Sequence, residues 1–380
     1  MQSNNLPKPI FIANPPALDR LADELARETI IAVDMEANGL YAYREQVCLI
    51  QFSTLEKDFL VDPISLGDIS PLAPIFNNPD IEKVFHAAEF DLILLQRDFG
   101  VSLTNLFDTM VAARILGWKR VGLGNIIEKQ FGIKVNKKYQ RANWGKRPLS
   151  DEMLTYAQMD THYLIELRQR IKNSLHEKDR WELAREDFRR GCQVNAAEHQ
   201  SDPADPWRVK GAYDLDPQQA AVLQKLCQFR DQKARELDRP VFKVISNRAL
   251  ISITRQQPRN HNELKSIRGV SDRQDRWIGD KLLAAVRRGT KADPIYPPRK
   301  PRFSREDRDQ TDRLLRWRKK KGRRMGVKSD VILPKDLLYE LVKQNPTTKD
   351  ELAQTLETVP WRLQHFGDEI FNLLMTSNYR

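Results

Sequence analysis

An α/β domain with a mixed sheet flanked by helices, followed by two small all-α domains, is the architecture that this 380-residue sequence predicts. Three observations carry that reading. Short β-branched, apolar runs crowd the first part of the chain and give way to longer stretches with helical spacing. Two segments near the C-terminus repeat each other at one constant offset, Leu226 onto Leu314 and Gly279 onto Gly367. Two polar, proline-bearing breaks separate the parts.

Residues 1–195 form the first unit. Ala17–Arg27 has helical spacing. Ile30–Met35, β-branched and bounded by charged residues, reads as a short buried strand, and Val47–Ser53, Asp58–Val61 and Lys83–Phe85 read as further strands. Glu89–Phe99, Asp108–Leu116, Gly124–Phe131 and Asp151–Asn173 read as helices. Ser150 is placed to cap the last of these, and Asp151 and Glu152 suit a helix N-terminus. Residues 196–206 carry two prolines and read as a linker; residues 291–302 carry four and read as extended and semi-rigid. Between and beyond them lie 207–290 and 303–380. A gap-free register pairs Arg230 with Arg318, Lys233 with Lys321, Leu250 with Leu338 and aromatic Phe229 with Trp317. These are two copies of one small helical domain, each opening on a long basic helix.

Three short motifs carry the chemistry. Asp34 and Glu36 alternate on one face of the first strand, about 6–7 Å apart along the chain. Two carboxylates so close resist joint ionisation unless a cation joins them. Asp91 stands near the start of a helix. Tyr156 and Asp160, at i and i+4, project from one face of another. All-oxygen donors suit Mg²⁺ or Mn²⁺, and two such ions can clamp the attacking and leaving oxygens of a phosphate ester. A phenol beside them can orient an attacking water. His162 lies two positions past Asp160, about 200° around the helix, and so faces elsewhere.

Composition narrows the partners. The 63 Lys and Arg against 52 Asp and Glu leave a net charge of +11, which favours polyanions and points to nucleic acid. No apolar run approaches the ~20 residues of a membrane span, and Met1–Pro7 lacks the features of a signal peptide, so a cytoplasmic protein is expected. Cys48, Cys192 and Cys227 are scattered, which argues against disulfides or a thiolate zinc site and reads as three buried apolar residues. A phosphate-binding Gly-x-x-x-x-Gly-Lys-Ser/Thr loop is missing, so no ATP is expected.

With Asp34, Glu36, Asp91, Tyr156 and Asp160 in this order, the chain resembles the DEDD exonuclease superfamily, in the subgroup with tyrosine before the last aspartate. Gln140–Ser150, with Trp144 and Arg147, is similar to the segment preceding that tyrosine in ribonuclease D proteins. The resemblance implies a ribonuclease-H-like fold, two divalent ions (Mg²⁺ or Mn²⁺), and stepwise removal of 3′ nucleotides as 5′-monophosphates. By the same resemblance Asp34 bridges both metals, Glu36 and Asp160 complete the first, Asp91 supports the second, and Tyr156 holds the nucleophilic water. Met35 and Ala37 depart from the usual neighbours of the first acids, which bears on substrate preference. The helical repeats, through Pro258–Leu264 and Gly269-Val270-Ser271, resemble the helicase-and-RNase-D C-terminal (HRDC) domain. RNA, including 3′ ends of tRNA precursors, is the implied partner. Arg318, Lys321 and Arg323 in the basic run Arg313–Arg324 are candidate RNA contacts. A DNA exonuclease and a non-catalytic RNA-binding scaffold are the competing readings.

Overall fold

The computed structural model describes residues 6–193, 202–298 and 304–376; much of the 196–206 linker and part of 291–302 lie outside them. Six strands form one mixed sheet in the order β1-β4-β3-β2-β5-β6: β1 (Ile10–Ile12), β2 (Ile30–Ala37), β3 (Val47–Ser53), β4 (Asp58–Val61), β5 (Glu82–Phe85) and β6 (Leu106–Asp108). β3 and β4 pair antiparallel, while β1 with β4, β2 with β5 and β5 with β6 are parallel. β3 and β4 are buried along their whole length. Strands covered on both faces read as unbroken apolar runs, which is why they were legible.

The expected mixed sheet with flanking helices followed by helical domains is therefore the observed fold class. β1 and β6 escaped the sequence because three residues cannot display an alternating pattern. The expected helix Asp151–Asn173 is in fact two, Asp151–His162 and Leu164–Glu177, parted at Tyr163 (φ −94°, ψ −2°). Neither glycine nor proline marks that break. Helix Trp181–Gly191 was also missed, its few apolar positions being outnumbered by charges. Cys48 and Cys227 are buried as expected, but Cys192 is only half-buried.

The chain gathers into two compact units that cut across the sequence segments. One comprises Met1–Glu36, Val47–Ala197 and Arg302–Arg380; the other comprises Ala37–Gln46 and Glu198–Pro301. In the first, the second helical repeat (helices Arg305–Met325, Lys335–Gln344, Lys349–Thr355 and Pro360–Met375) packs against the sheet domain. Arg362 is fully buried with Glu186 at 3.0 Å. Its guanidinium also donates to Asp187 at 3.0 Å and to the Ile332 and Val331 carbonyls. The Glu186 carboxylate accepts in addition from the Trp361 and Arg362 amides. Gly117 (φ +81°) meets the Gly326 carbonyl so closely that an added Cβ would lie 2.2 Å from its oxygen. Arg362→Ala should cost about 3–5 kcal/mol, because it strands Glu186 as a buried anion. Thermal unfolding checks this; a Tm equal to that of the parent would contradict it.

In the second unit, the first repeat (helices Pro217–Glu236, Asn247–Gln256, His261–Ser266 and Asp272–Thr290) closes on Leu223, Leu226, Ile253, Leu264, Ile278 and Leu282. Segment 37–46 belongs to it: Tyr43 Oη donates to Asp231 at 2.6 Å, and Lys243 lies over the Tyr41 ring.

Candidate active site

β2 lies between β3 and β5 in the sheet, and its alternation buries Ile31, Val33 and Met35 while leaving Asp34 and Glu36 half-buried on the other face. Asp91 enters from the first turn of Glu89–Phe99 and is buried. Tyr156 and Asp160 come from Asp151–His162, whose start is capped by Ser150 Oγ accepting from the Met153 amide at 3.3 Å. The structure brings all four acids to one place. Burial, opposed in part by hydrogen bonds to the Met35 amide and to Asp91, pushes the Asp34 carboxyl up to about 7. Burial and then the charges of Asp34, Asp160 and Asp91 push Glu36 up to about 10. Asp91 is held well above the carboxylate range by burial, then by Asp34, Asp108 and Asp160. Asp160 is raised by burial and by Asp34. Among the described residues, no three acid, histidine or cysteine side chains stand pre-arranged as a closed metal cage. The raised values fit carboxylates that repel one another and share protons. The donors are all oxygen, the set that hard Mg²⁺ or Mn²⁺ prefers over zinc.

Tyr156 is framed by Tyr139 (ring centroids 6.1 Å apart) and the buried Trp144 (6.0 Å). Burial and then Asp160, Glu36 and Asp34 raise its phenol far above the ordinary value, so the hydroxyl keeps its proton at neutral pH. The strand-to-helix geometry behind Trp144 is locked by Arg147. Its guanidinium grips Asp62 through two contacts of 2.7 and 2.6 Å and donates to the Trp144 and Cys48 carbonyls at 2.7 Å. On another face of the same helix, His162 Nδ1 bonds Asp58 Oδ2 at 2.8 Å, and Gln158 Nε2 reaches the same carboxylate at 2.6 Å. A cavity of about 800 Å³ bordered by Lys8, Phe11, Arg147, Leu154 and Gln158 contains none of the five residues.

Asp108, which the sequence reading took only as the start of a helix, is placed to position the site. It caps Thr109–Ile115 by accepting from the Met110 and Val111 amides, and it also accepts from Ala87 and Ala88. Those bonds hold Ala87 at φ +66°, a strained setting for a residue with a Cβ, and thereby aim the helix that carries Asp91. An Asp preceding an apolar helix was the available signal; its second task depends on a loop distant in sequence. Asp108→Ala should cost about 2 kcal/mol or more and lower turnover as well. Denaturation and rate measured together check it, and loss of neither would refute the assignment.

The three candidate RNA contacts lie elsewhere, on Arg305–Met325. Arg318 donates to the Leu333 carbonyl at 2.7 Å and Lys321 pairs with Glu369 at 2.5 Å, so both are engaged within the protein, while Arg323 is exposed.

A strand presenting two acids to two more from separate helices, with a shielded phenol alongside, defines a nuclease-type domain of the four-carboxylate class. Residues 9–176 match the family model described as 3′-5′ exonuclease, and residues 219–286 and 309–374 each match the HRDC domain. The chain belongs to the DEDD 3′–5′ exonuclease family and is a ribonuclease D homologue with two HRDC domains. It is 28% identical to the ribonuclease D of Pseudomonas paraeruginosa over 96% of this chain and 97% of that one. It is 33% identical to the exosome complex exonuclease RRP6 of Saccharomyces cerevisiae over 66% of this chain but 36% of that protein. The chain thus spans only about a third of the length of several curated relatives. Among solved structures it resembles the catalytic core of RRP6 from Trypanosoma brucei (32% identity, TM-score 0.66, 77% of this chain and 82% of that one). It also resembles Escherichia coli RNase D, an exoribonuclease involved in structured RNA processing (26%, TM-score 0.70, 96% and 98%).

Proposed function

We propose that the protein is a divalent-metal-dependent 3′–5′ exoribonuclease of the cytoplasm that trims structured RNA, including 3′ ends of tRNA precursors, and releases 5′-nucleoside monophosphates. The observation that carries this is the meeting of Asp34, Glu36, Asp91 and Asp160 beside a phenol held protonated. Asp34, Glu36, Asp91 and Asp160 would hold two ions, Mg²⁺ or Mn²⁺. When bound, such ions supply charge neutralisation at the phosphate and an acidified water. The protein's own groups do the rest. Tyr156 donates its O–H to the attacking water and orients it, while Trp144 and Tyr139 fix the ring and keep bulk water from it. The kinship with RNase D and the +11 charge support RNA as the substrate. The exposed Arg323 is proposed as a phosphate contact.

Incubating a 3′-extended tRNA precursor and a matched DNA with Mg²⁺ or Mn²⁺ tests the proposal. Mononucleotide 5′-phosphates should appear from the RNA. No product with metal present, or faster digestion of the DNA, would overturn it.

A further inference from the structure

The two helical repeats differ at the groove between their first and last helices. In the first repeat, Pro217–Glu236 and Asp272–Thr290 border a groove of about 510 Å³ lined by Lys225, Phe229, Lys233, Trp277, Lys281 and Arg288. Trp277 is 44% exposed. One carboxylate, Glu236, sits there and pairs with Lys233 at 3.0 Å, so four cations against one acid leave a net charge of +3. The gap-free register shows what the second repeat places at these positions: Trp317 for Phe229, His365 for Trp277 and Glu369 for Lys281. There Glu369 accepts from Trp317 Nε1 at 2.6 Å and from Lys321 at 2.5 Å. His365 in turn stacks on Trp361 with ring centroids 4.0 Å apart. In the second repeat a carboxylate, Glu369, thus engages both the aromatic and a cation of the groove, whereas in the first repeat the same position is the cation Lys281, and Trp277 is exposed.

A second exchange points the same way. Gln274 donates to the Val244 carbonyl at 3.2 Å, a bond confined to the first repeat. Its counterpart Arg362 makes the matching bond to Ile332 and reaches on to Glu186 and Asp187 of the nuclease domain.

We propose that the first repeat carries a single-stranded RNA site in this groove, while the second has become a fixed part of the nuclease domain. The inference rests on the exoribonuclease reading for its choice of ligand. Trp277 offers a face on which one base can stack, and Lys225, Lys233, Lys281 and Arg288 face the phosphates. A duplex keeps its bases inside its own stack and cannot use Trp277, so the unpaired strand is the fitting occupant. The second repeat retains exposed bases at Lys319, Lys320, Arg323 and Arg324, which add attraction without that stacking face.

The test is fluorescence anisotropy of a labelled 12-nucleotide single-stranded RNA with the full chain carrying Asp160→Asn to stop turnover. Trp277→Ala should weaken binding about 5- to 100-fold, and Trp277→Phe should keep most of it. Lys281→Glu, which installs the second repeat's own residue, should weaken binding and flatten the salt dependence by about one phosphate contact, a slope change of about 0.7. Unchanged affinity in both variants overturns the proposal, as does loss with Lys281→Glu alone or tighter binding of the matched DNA. Cleavage of a trinucleotide by the unsubstituted protein with Mn²⁺ reports separately on the nuclease reading, since failure there leaves the groove measurement standing.

Discussion

Asp34→Asn should abolish turnover, by at least about 10²–10³-fold, and at the same time stabilise the metal-free protein above neutral pH. The first effect follows from removing an anionic oxygen from the centre of the acidic set. The second follows from linkage. The Asp34 carboxyl rises from 3.8 to about 7 on folding, so between those values the native state holds a proton that the unfolded chain has released. Stability of the metal-free protein therefore falls as pH climbs from about 4 to about 7, and Glu36, raised from 4.5 to about 10, extends the decline to higher pH. Asparagine cannot ionise and escapes the share due to Asp34. With chelator present, the parent should melt at lower temperature at about pH 8 than at about pH 5, and Asp34→Asn should narrow the gap. Mg²⁺ or Mn²⁺ competes with those protons and should raise the parent's Tm more at the higher pH. A metal-free parent that grows more stable on the way to pH 8 would refute the electrostatic account of the site.

Tyr156→Phe should lower kcat about 10²–10³-fold while leaving metal-induced stabilisation and RNA affinity near those of the parent. The ring keeps its place between Tyr139 and Trp144, so the substitution deletes a hydrogen-bond donor and little packing. Because the phenol is held protonated, its loss should not move the alkaline limb of the pH–rate profile. A base at this position would shift that limb. Single-turnover assays across pH distinguish the cases, and a rate equal to the parent's would show that the hydroxyl positions nothing.

Removing residues 207–380 is a poorer probe of RNA binding than the sequence suggests. It would take away Arg362 together with Met325, Val327, Val331 and Trp361, which pack on the core of the nuclease domain, so lost affinity would be confounded with lost stability.

What the sequence determined by itself was whatever local pattern and order could encode. The β3 and β4 strands were legible as apolar runs, the two repeats as a shared register, and the five site residues as motifs whose order matched one family. Their convergence required tertiary structure, because no spacing along the chain measures the distance between Asp34 on a strand and Asp160 on a helix. The second task of Asp108, the aromatic frame of Tyr156 and the split at Tyr163 also lay beyond the sequence, since each depends on a neighbour remote in the chain. So did the fate of the basic helix. Arg318 and Lys321 read as candidate RNA contacts, yet a backbone carbonyl and Glu369 engage them, because charge in a sequence carries no record of what folds against it.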